Sequence, residues 1–133
     1  MLTLAEANQA IAAALARAQT MKVAIAVSVC DEEGRLVSFQ RMDGVFSESI
    51  PLAIGKAIAA AASRDSRTKD AGLDLQSVWR VAGAGLPVIA GPGSLPIIRN
   101  AATVGGIGVS GSPTDQEDAQ CAKAGAEALD QSS

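Results

Sequence analysis

Apolar residues recur at helical spacing over the first twenty positions of the chain. From Leu4 they fall three or four positions apart, through Leu15 to Ala18, which places their side chains on one face of an α-helix. Thr3 precedes this run, and Glu6 lies three positions after Thr3, which is the pattern of an N-terminal capping box. The sequence therefore predicts a first helix that begins just after Thr3.

The hydrophobic period changes to two after this helix. Between residues 22 and 30, bulky Val and Ile residues alternate with Ala, Ser and Cys, which predicts a β-strand with one bulky and one small face. The small face allows another element to pack closely on it. A turn at 31–34 and an apolar run at 35–42 predict the returning strand of a hairpin.

A second helix is predicted over residues 47–63. Isoleucines four positions apart form its apolar stripe, Pro51 is tolerated in its first turn, and Ser47 or Ser49 suits its N-cap. The polar residues 64–74 predict turns, and a short helix is expected around Trp79.

Three short apolar runs and one helical pattern complete the chain. The runs predict strands at 86–91, 95–100 and 103–111, and Thr114 with Glu117 predicts a capping box that starts a helix over 115–129. Short connections favour antiparallel pairing. We therefore predict an α+β fold, a two-layer sandwich with an antiparallel sheet of about five strands and flanking helices, of the profilin or PAS type. Residues 1–133 suit a single domain.

The last predicted strand contains a literal G-x-G-x-x-G at Gly106, Gly108 and Gly111. A dinucleotide-binding turn needs a helix that opens within the glycines and a second parallel strand after it. Here the helix begins only after Pro113, and no strand pattern follows. Because glycine inside a strand usually marks a close backbone approach, we expect a helix, a strand, a second subunit or a ligand to lie against these glycines.

Composition narrows the classes of partner. The net charge is −3 with no basic cluster, so nucleic acid is not an expected partner. The sequence contains neither an 18-residue apolar stretch nor a signal-peptide pattern, so we expect no membrane association and a cytoplasmic location. Aromatic residues are 2% of the chain. Since alanine-rich helices bury little area, we expect self-association to add apolar burial.

Histidine and tyrosine are absent from the sequence. Their absence removes the usual general base and the commonest metal ligand, so no metal site is predicted. Cys30 and Cys121 lie far apart in periodic segments, which favours buried thiols over a disulfide. Any chemistry must come from the remaining polar residue types or from a bound cofactor.

Four stretches of the sequence resemble the GlcG/HbpS-like family of haem-binding and haem-degrading domains, which also includes the C-terminal domain of PduO-type proteins. The stretches are VAIAVSVCDEEGRLVSFQRMDG, IPLAIGKAIAAA, GSLPI and VGGIGVSGSPTDQEDAQCAKAGAEAL. The resemblance implies an α+β fold with an antiparallel sheet, assembly into tetramers or octamers, and haem as a candidate cofactor. Histidine-ligated haem is excluded here, because the chain has no histidine; cysteine, methionine, hydroxyl or water ligation stays open.

The sequence suggests two groups of site residues. Lys56, which matches a lysine that recurs in the family, and Asp118 are candidates for acid–base catalysis. The candidate ligand contacts are Arg41, Asp43, Gly93, Pro96, Gly108 and Ser110; among them Arg41 suits bidentate binding of a carboxylate.

Three functions are therefore open. The first is a small-molecule-binding accessory protein, whose ligand is haem or another tetrapyrrole held without histidine. The second is a small catabolic enzyme that acts on an organic acid, and the third is a non-catalytic oligomeric accessory protein.

Overall fold

The computed structural model describes residues 1–62 and 88–130, which contain three helices and four strands. In chain order these are α1 (Leu4–Met21), β1 (Ala26–Asp31), β2 (Leu36–Arg41), α2 (Ser49–Ala61), β3 (Ser94–Arg99), β4 (Ala102–Ser110) and α3 (Asp115–Asp130). The turns predicted at 64–74 and the short helix predicted around Trp79 lie outside the described residues. None of the helices within 1–62 and 88–130 is both long and apolar enough to cross a membrane.

The four strands form one antiparallel sheet in the order β2-β1-β4-β3. The predicted α+β class, with an antiparallel sheet and flanking helices, is confirmed. The strand predicted at 86–91 is wrong in its described part, since residues 88–91 are not in a strand. The reason is that the Ile89 N–H donates to the carbonyl oxygen of Gly55 in α2, at 3.0 Å. The helix therefore occupies the backbone donor that a sheet neighbour would need.

The two faces of the sheet pack against different helices. Val27 and Val29 lie opposite Val109 and Ile107, and all four belong to a core shared with residues of α1 and α3. The other face is the small one, and α2 lies on it. The described residues therefore form a helical layer on each side of the sheet, which makes three layers where the sequence predicted two, because both faces of the sheet are apolar or small enough to be covered.

Small side chains let α2 approach this face closely. The hydroxyl of Ser28 donates to the carbonyl oxygen of Ala53 at 2.7 Å, and the thiol of Cys30 donates to that of Ala57 at 3.2 Å. Across the sheet, a Cβ added to Gly106 or Gly108 would clash with the same stretch of helix backbone. The neighbour that the glycine strand accommodates is thus a helix of the same chain.

The helix starts only partly follow the predicted caps. The Thr3–Glu6 capping box is confirmed at α1, and the Glu117 N–H donates to Thr114 Oγ1 at 3.2 Å at α3. The predicted serine cap of α2 is wrong, because Glu48 is the N-cap residue and makes no side-chain capping bond. Ser49 is instead the first helical residue and is buried, with its side chain beside Gly111.

Replacing Gly108 by alanine should destabilise the protein by about 3 kcal/mol, because the new methyl group meets helix backbone that cannot rotate away. Urea unfolding of the variant measures this loss. Gly91→Ala is the matched control: a Cβ there meets no atom within 4 Å, so its free energy of unfolding should change by less than about 0.5 kcal/mol. Equal midpoints for both variants would contradict the close approach of α2.

Candidate functional site

Lys56 and Asp118 meet at one end of the sheet. Lys56 lies on α2 and Asp118 in the first turns of α3, and these helices cover opposite faces of the sheet. The Lys56 ammonium nitrogen nevertheless lies 3.6 Å from Asp118 Oδ2, and the two side chains are only 10% and 7% exposed. The structure therefore brings together the two residues that the sequence selected for acid–base chemistry.

Backbone geometry explains why a lysine is needed at this point. Just before β3 begins, Gly93 accepts a hydrogen bond from the Val109 N–H at 2.8 Å. Gly93 has a φ of +92°, so the chain departs from strand geometry here. The carbonyl oxygen of Val109 accepts a bond from the Lys56 ammonium group at 2.9 Å. Lys56 thus donates a hydrogen bond to the Val109 carbonyl oxygen near the end of β4, at the point where the edge strand β3 has not yet begun.

Gly93 is part of the same cluster. A Cβ added there would clash with the Val109 carbonyl oxygen and would lie 3.2 Å from Asp118 Cβ and 3.3 Å from Lys56 Nζ. Both the positive φ and the lack of space favour glycine at this position. This explains Gly93 as a packing requirement of the Lys56–Asp118 pair.

The polar atoms around the pair are engaged by the protein itself. The Ser112 N–H donates to Asp118 Oδ1 at 3.1 Å, and the Ser94 hydroxyl donates to the Lys56 carbonyl oxygen at 2.6 Å. Within the described ranges, no buried side-chain nitrogen or oxygen lacks a hydrogen-bond partner. The cluster therefore joins α2, β4 and α3, and its two opposite charges pair with each other.

The remaining candidates on this side of the sheet are covered or half-buried. Gly108 lies under α2, Ser110 is 5% exposed at the end of β4, and Pro96 is half-buried in β3 opposite Gly106. Within the described residues, each of these three positions therefore packs against other parts of the chain.

Arg41 and Asp43 occupy a different place, at the end of the edge strand β2. Both are exposed, and they line a surface pocket of about 300 Å³. The other lining residues are Leu15, Gln40 and Met42. Arg41 lies opposite Ala26, which lies opposite Ser110, so two strand spacings, about 10 Å, separate the backbones of Arg41 and Ser110. The structure thus divides the candidates between two sites.

The Arg41 guanidinium group is available to a ligand. None of the ion pairs or side-chain hydrogen bonds found in the described residues engages it. Within the described part of the chain, its N–H groups are therefore free to donate to a ligand.

An apolar surface adjoins Arg41. Phe39 lies opposite Ser28 and Leu36 opposite Cys30, so both belong to the face on which α2 packs. Leu36 is nonetheless 52% exposed and Phe39 is half-buried. We call Leu36, Phe39 and Arg41 the β2 face. Sequence reasoning missed that these two apolar residues share a face, because strict alternation places positions 36 and 39 on opposite faces and only the register shift beside Val29 and Cys30 brings them to the same one.

Both cysteines are free and buried, as predicted. Burial raises the pKa of the Cys30 thiol to about 12, and burial together with the nearby Asp118 carboxylate raises the pKa of Cys121 to about 11. Both thiols are therefore protonated at neutral pH and are poor nucleophiles and metal ligands. In the described part of the chain, no group of three or more His, Cys, Asp or Glu residues is placed to hold a metal ion.

Lys56→Met should cost about 3–5 kcal/mol of stability, because it leaves the buried Asp118 carboxylate without its partner. In the double variant Lys56→Met/Asp118→Leu, the loss should be smaller than the sum of the two single losses, since no charge is then stranded. Urea unfolding of the three variants gives the coupling. Lys123→Met is the control, because Lys123 is 73% exposed. Strictly additive losses would contradict the structural role of the pair.

Known proteins match this sequence over almost its whole length. The family model for haem-degrading proteins of the HbpS-like type matches residues 2–127. An uncharacterised 15.0 kDa protein of Citrobacter freundii, from the dhaT-dhaS intergenic region, is 33% identical in an alignment 126 residues long that covers 87% of this chain and 84% of that protein.

Solved structures show the same fold. A double mutant of HbpS from Streptomyces reticuli is 30% identical with a TM-score of 0.74, and the match covers 97% of this chain and 87% of that one. A PduOC chain solved as a complex with haem is 25% identical with a TM-score of 0.75, over 96% of this chain and 94% of that one. Since the family model spans nearly the full sequence, the chain belongs to the HbpS-like family of haem-degrading proteins.

Proposed function

We propose that this protein is a small-molecule-binding accessory protein whose ligand is a flat, carboxylate-bearing molecule of the tetrapyrrole class. The observation that carries the proposal is the likeness, over 96% of this chain, to a PduOC chain solved with haem. Membership of a family described by haem degradation supports the same class of ligand.

The β2 face is the site that we assign to this ligand. A guanidinium group binds a carboxylate through two parallel hydrogen bonds, and the Arg41 guanidinium is exposed and unpaired among the described residues. Leu36 and Phe39 offer an apolar surface beside it on which a planar ring can lie. Burial of apolar area contributes about 25 cal/mol per Å², so ring contact and the carboxylate bond both stabilise the complex.

The same residues do not fit coordination of a haem iron. The chain has no histidine or tyrosine, and the thiols of Cys30 and Cys121 are buried and protonated at neutral pH. We therefore assign no bond between the protein and the iron, and the proposal rests on the carboxylates and the ring alone.

The alternative of an acid–base enzyme has weaker support. Lys56 and Asp118 are each hydrogen-bonded to backbone and paired with one another, so a substrate would have to break the end of the sheet to reach them. Their burial is explained by packing. We therefore favour binding over catalysis.

We further propose that the protein self-associates in the cytoplasm. Phe46 is 71% exposed and Leu52 is 38% exposed, and both lie near the start of α2. We propose that these two residues belong to one patch, since contiguous exposed apolar patches mark protein–protein interaction sites. Assembly into tetramers or octamers was the expectation from the family resemblance.

Arg41→Gln should weaken binding of haemin about tenfold or more, because it removes a charged bidentate contact. Titration of the protein followed by the Soret absorption of haemin measures the dissociation constant. Arg17→Gln is the matched control: it removes the same charge from the outer surface of α1, where Arg17 contacts Gln120. Absence of any Soret change with micromolar haemin would sink the proposed ligand class, and equal losses in both variants would sink the site.

Size-exclusion chromatography with light scattering should give a mass several times that of the 13.4 kDa chain. The double variant Phe46→Ser/Leu52→Ser should shift the population towards smaller species, because it removes apolar area from the contact. Leu4→Ser, which changes a residue 58% exposed at the start of α1, should leave the mass unchanged. A monomeric parent protein would refute self-association.

A further inference from the structure

We infer that this chain recognises its tetrapyrrole without using the central metal, so that a metal-free porphyrin is as good a ligand as haemin. The inference rests on the proposed function and concerns which atoms of the ligand the protein contacts. It follows from the position of every side chain that ordinarily binds a haem iron.

The inventory of such side chains is short and complete. Proteins hold haem iron through histidine, cysteine thiolate, methionine or tyrosine. This sequence has no histidine or tyrosine, two cysteines and three methionines. All five sulfur residues lie within the described ranges 1–62 and 88–130, so each can be examined in place.

Neither cysteine can reach a ligand at the protein surface. Cys30 is 1% exposed beneath α2, and its thiol donates to the Ala57 carbonyl oxygen at 3.2 Å. Cys121 is fully buried in the core that α3 shares with α1. Coordination by either would require a helix to leave the sheet and a buried thiol to lose its proton.

The methionines are little better suited. Met21 is half-buried and packs against the core, while Met1 is fully exposed and is engaged by none of the hydrogen bonds found among the described residues. Met42 lines the pocket beside Arg41, but its sulfur accepts the Ile25 N–H at 3.3 Å. A thioether is also a neutral, weak ligand that binds haem iron in partnership with histidine in the cytochromes c. Met42 is therefore the one residue worth testing.

The side chains of the β2 face contact parts of the ligand other than the iron. The Arg41 guanidinium suits a propionate, and Leu36 with Phe39 suits the ring. Haemin and protoporphyrin IX carry the same propionates and nearly the same ring. A water molecule or a neutral hydroxyl on the iron adds little, because such oxygen ligands exchange readily with solvent.

Parallel titrations with haemin and protoporphyrin IX test the inference. The two dissociation constants should agree within about threefold, and haemin should keep the spectrum of a high-spin iron with an oxygen ligand. Arg41→Gln should raise the dissociation constants of both ligands by the same factor. Haemin binding tenfold or more tighter than protoporphyrin IX, or a low-spin spectrum, would overturn the inference.

Met42→Leu isolates the remaining sulfur. The substitution conserves volume, so the affinities of both ligands and the haemin spectrum should be unchanged, or both affinities should fall together if packing suffers. A loss confined to haemin would identify Met42 as an iron ligand and overturn the inference.

The outcomes separate the inference from the proposed function. If neither tetrapyrrole binds, the proposed function fails and the inference falls with it. If haemin binds and protoporphyrin IX does not, the proposed function stands and only the inference fails.

Discussion

The close contact between α2 and the glycine strand β4 is the constraint on which the rest of the structure depends. Gly106 and Gly108 have no side chains, so the helix backbone lies directly on the sheet. This depth of approach carries Lys56 past the end of β4, where its ammonium group reaches the Val109 carbonyl oxygen and Asp118 on the far side. A larger residue in the strand would lift α2 from the sheet and move Lys56 away from Asp118. The pair that resembles a catalytic dyad is a consequence of this packing.

The same contact decides which surfaces remain open. α2 covers β1 and β4 so closely that Cys30 is sealed beneath it, yet it leaves the edge strand β2 uncovered. Within the described residues, the part of the small face that α2 leaves uncovered is therefore apolar at Leu36 and at the half-buried Phe39, and positively charged at Arg41. Burial of Cys30 excludes chemistry that needs its thiolate. The uncovered surface suits a ligand that needs a flat apolar contact and one cation. These observations support the proposed binding of a carboxylated ring over the alternative of acid–base catalysis.

Much of the fold could be predicted from local patterns. The capping box at Thr3, the alternation that defines β1 and its small face, and the burial of both cysteines follow from spacing alone. Three features did not, because each depends on a distant partner. Residues 88–91 resemble a strand but bond to α2 through Ile89, the start of α2 uses no serine cap, and the exposure of Leu36 depends on where α2 ends its cover of the sheet. Lys56 was selected by resemblance and Asp118 by charge and position, but their meeting around the end of the sheet is a tertiary fact that no window of sequence contains.

In the proposed complex, a tetrapyrrole lies on the β2 face and the protein holds its carboxylates rather than its metal. A crystal structure of the haemin complex, with the iron located by its anomalous scattering, tests this claim most directly. We predict a propionate at the Arg41 guanidinium, the ring against Leu36 and Phe39, and an iron with no nitrogen or sulfur atom of the protein within bonding distance. An iron bound to the sulfur of Met42 or of either cysteine, or a ring bound away from β2, would contradict it.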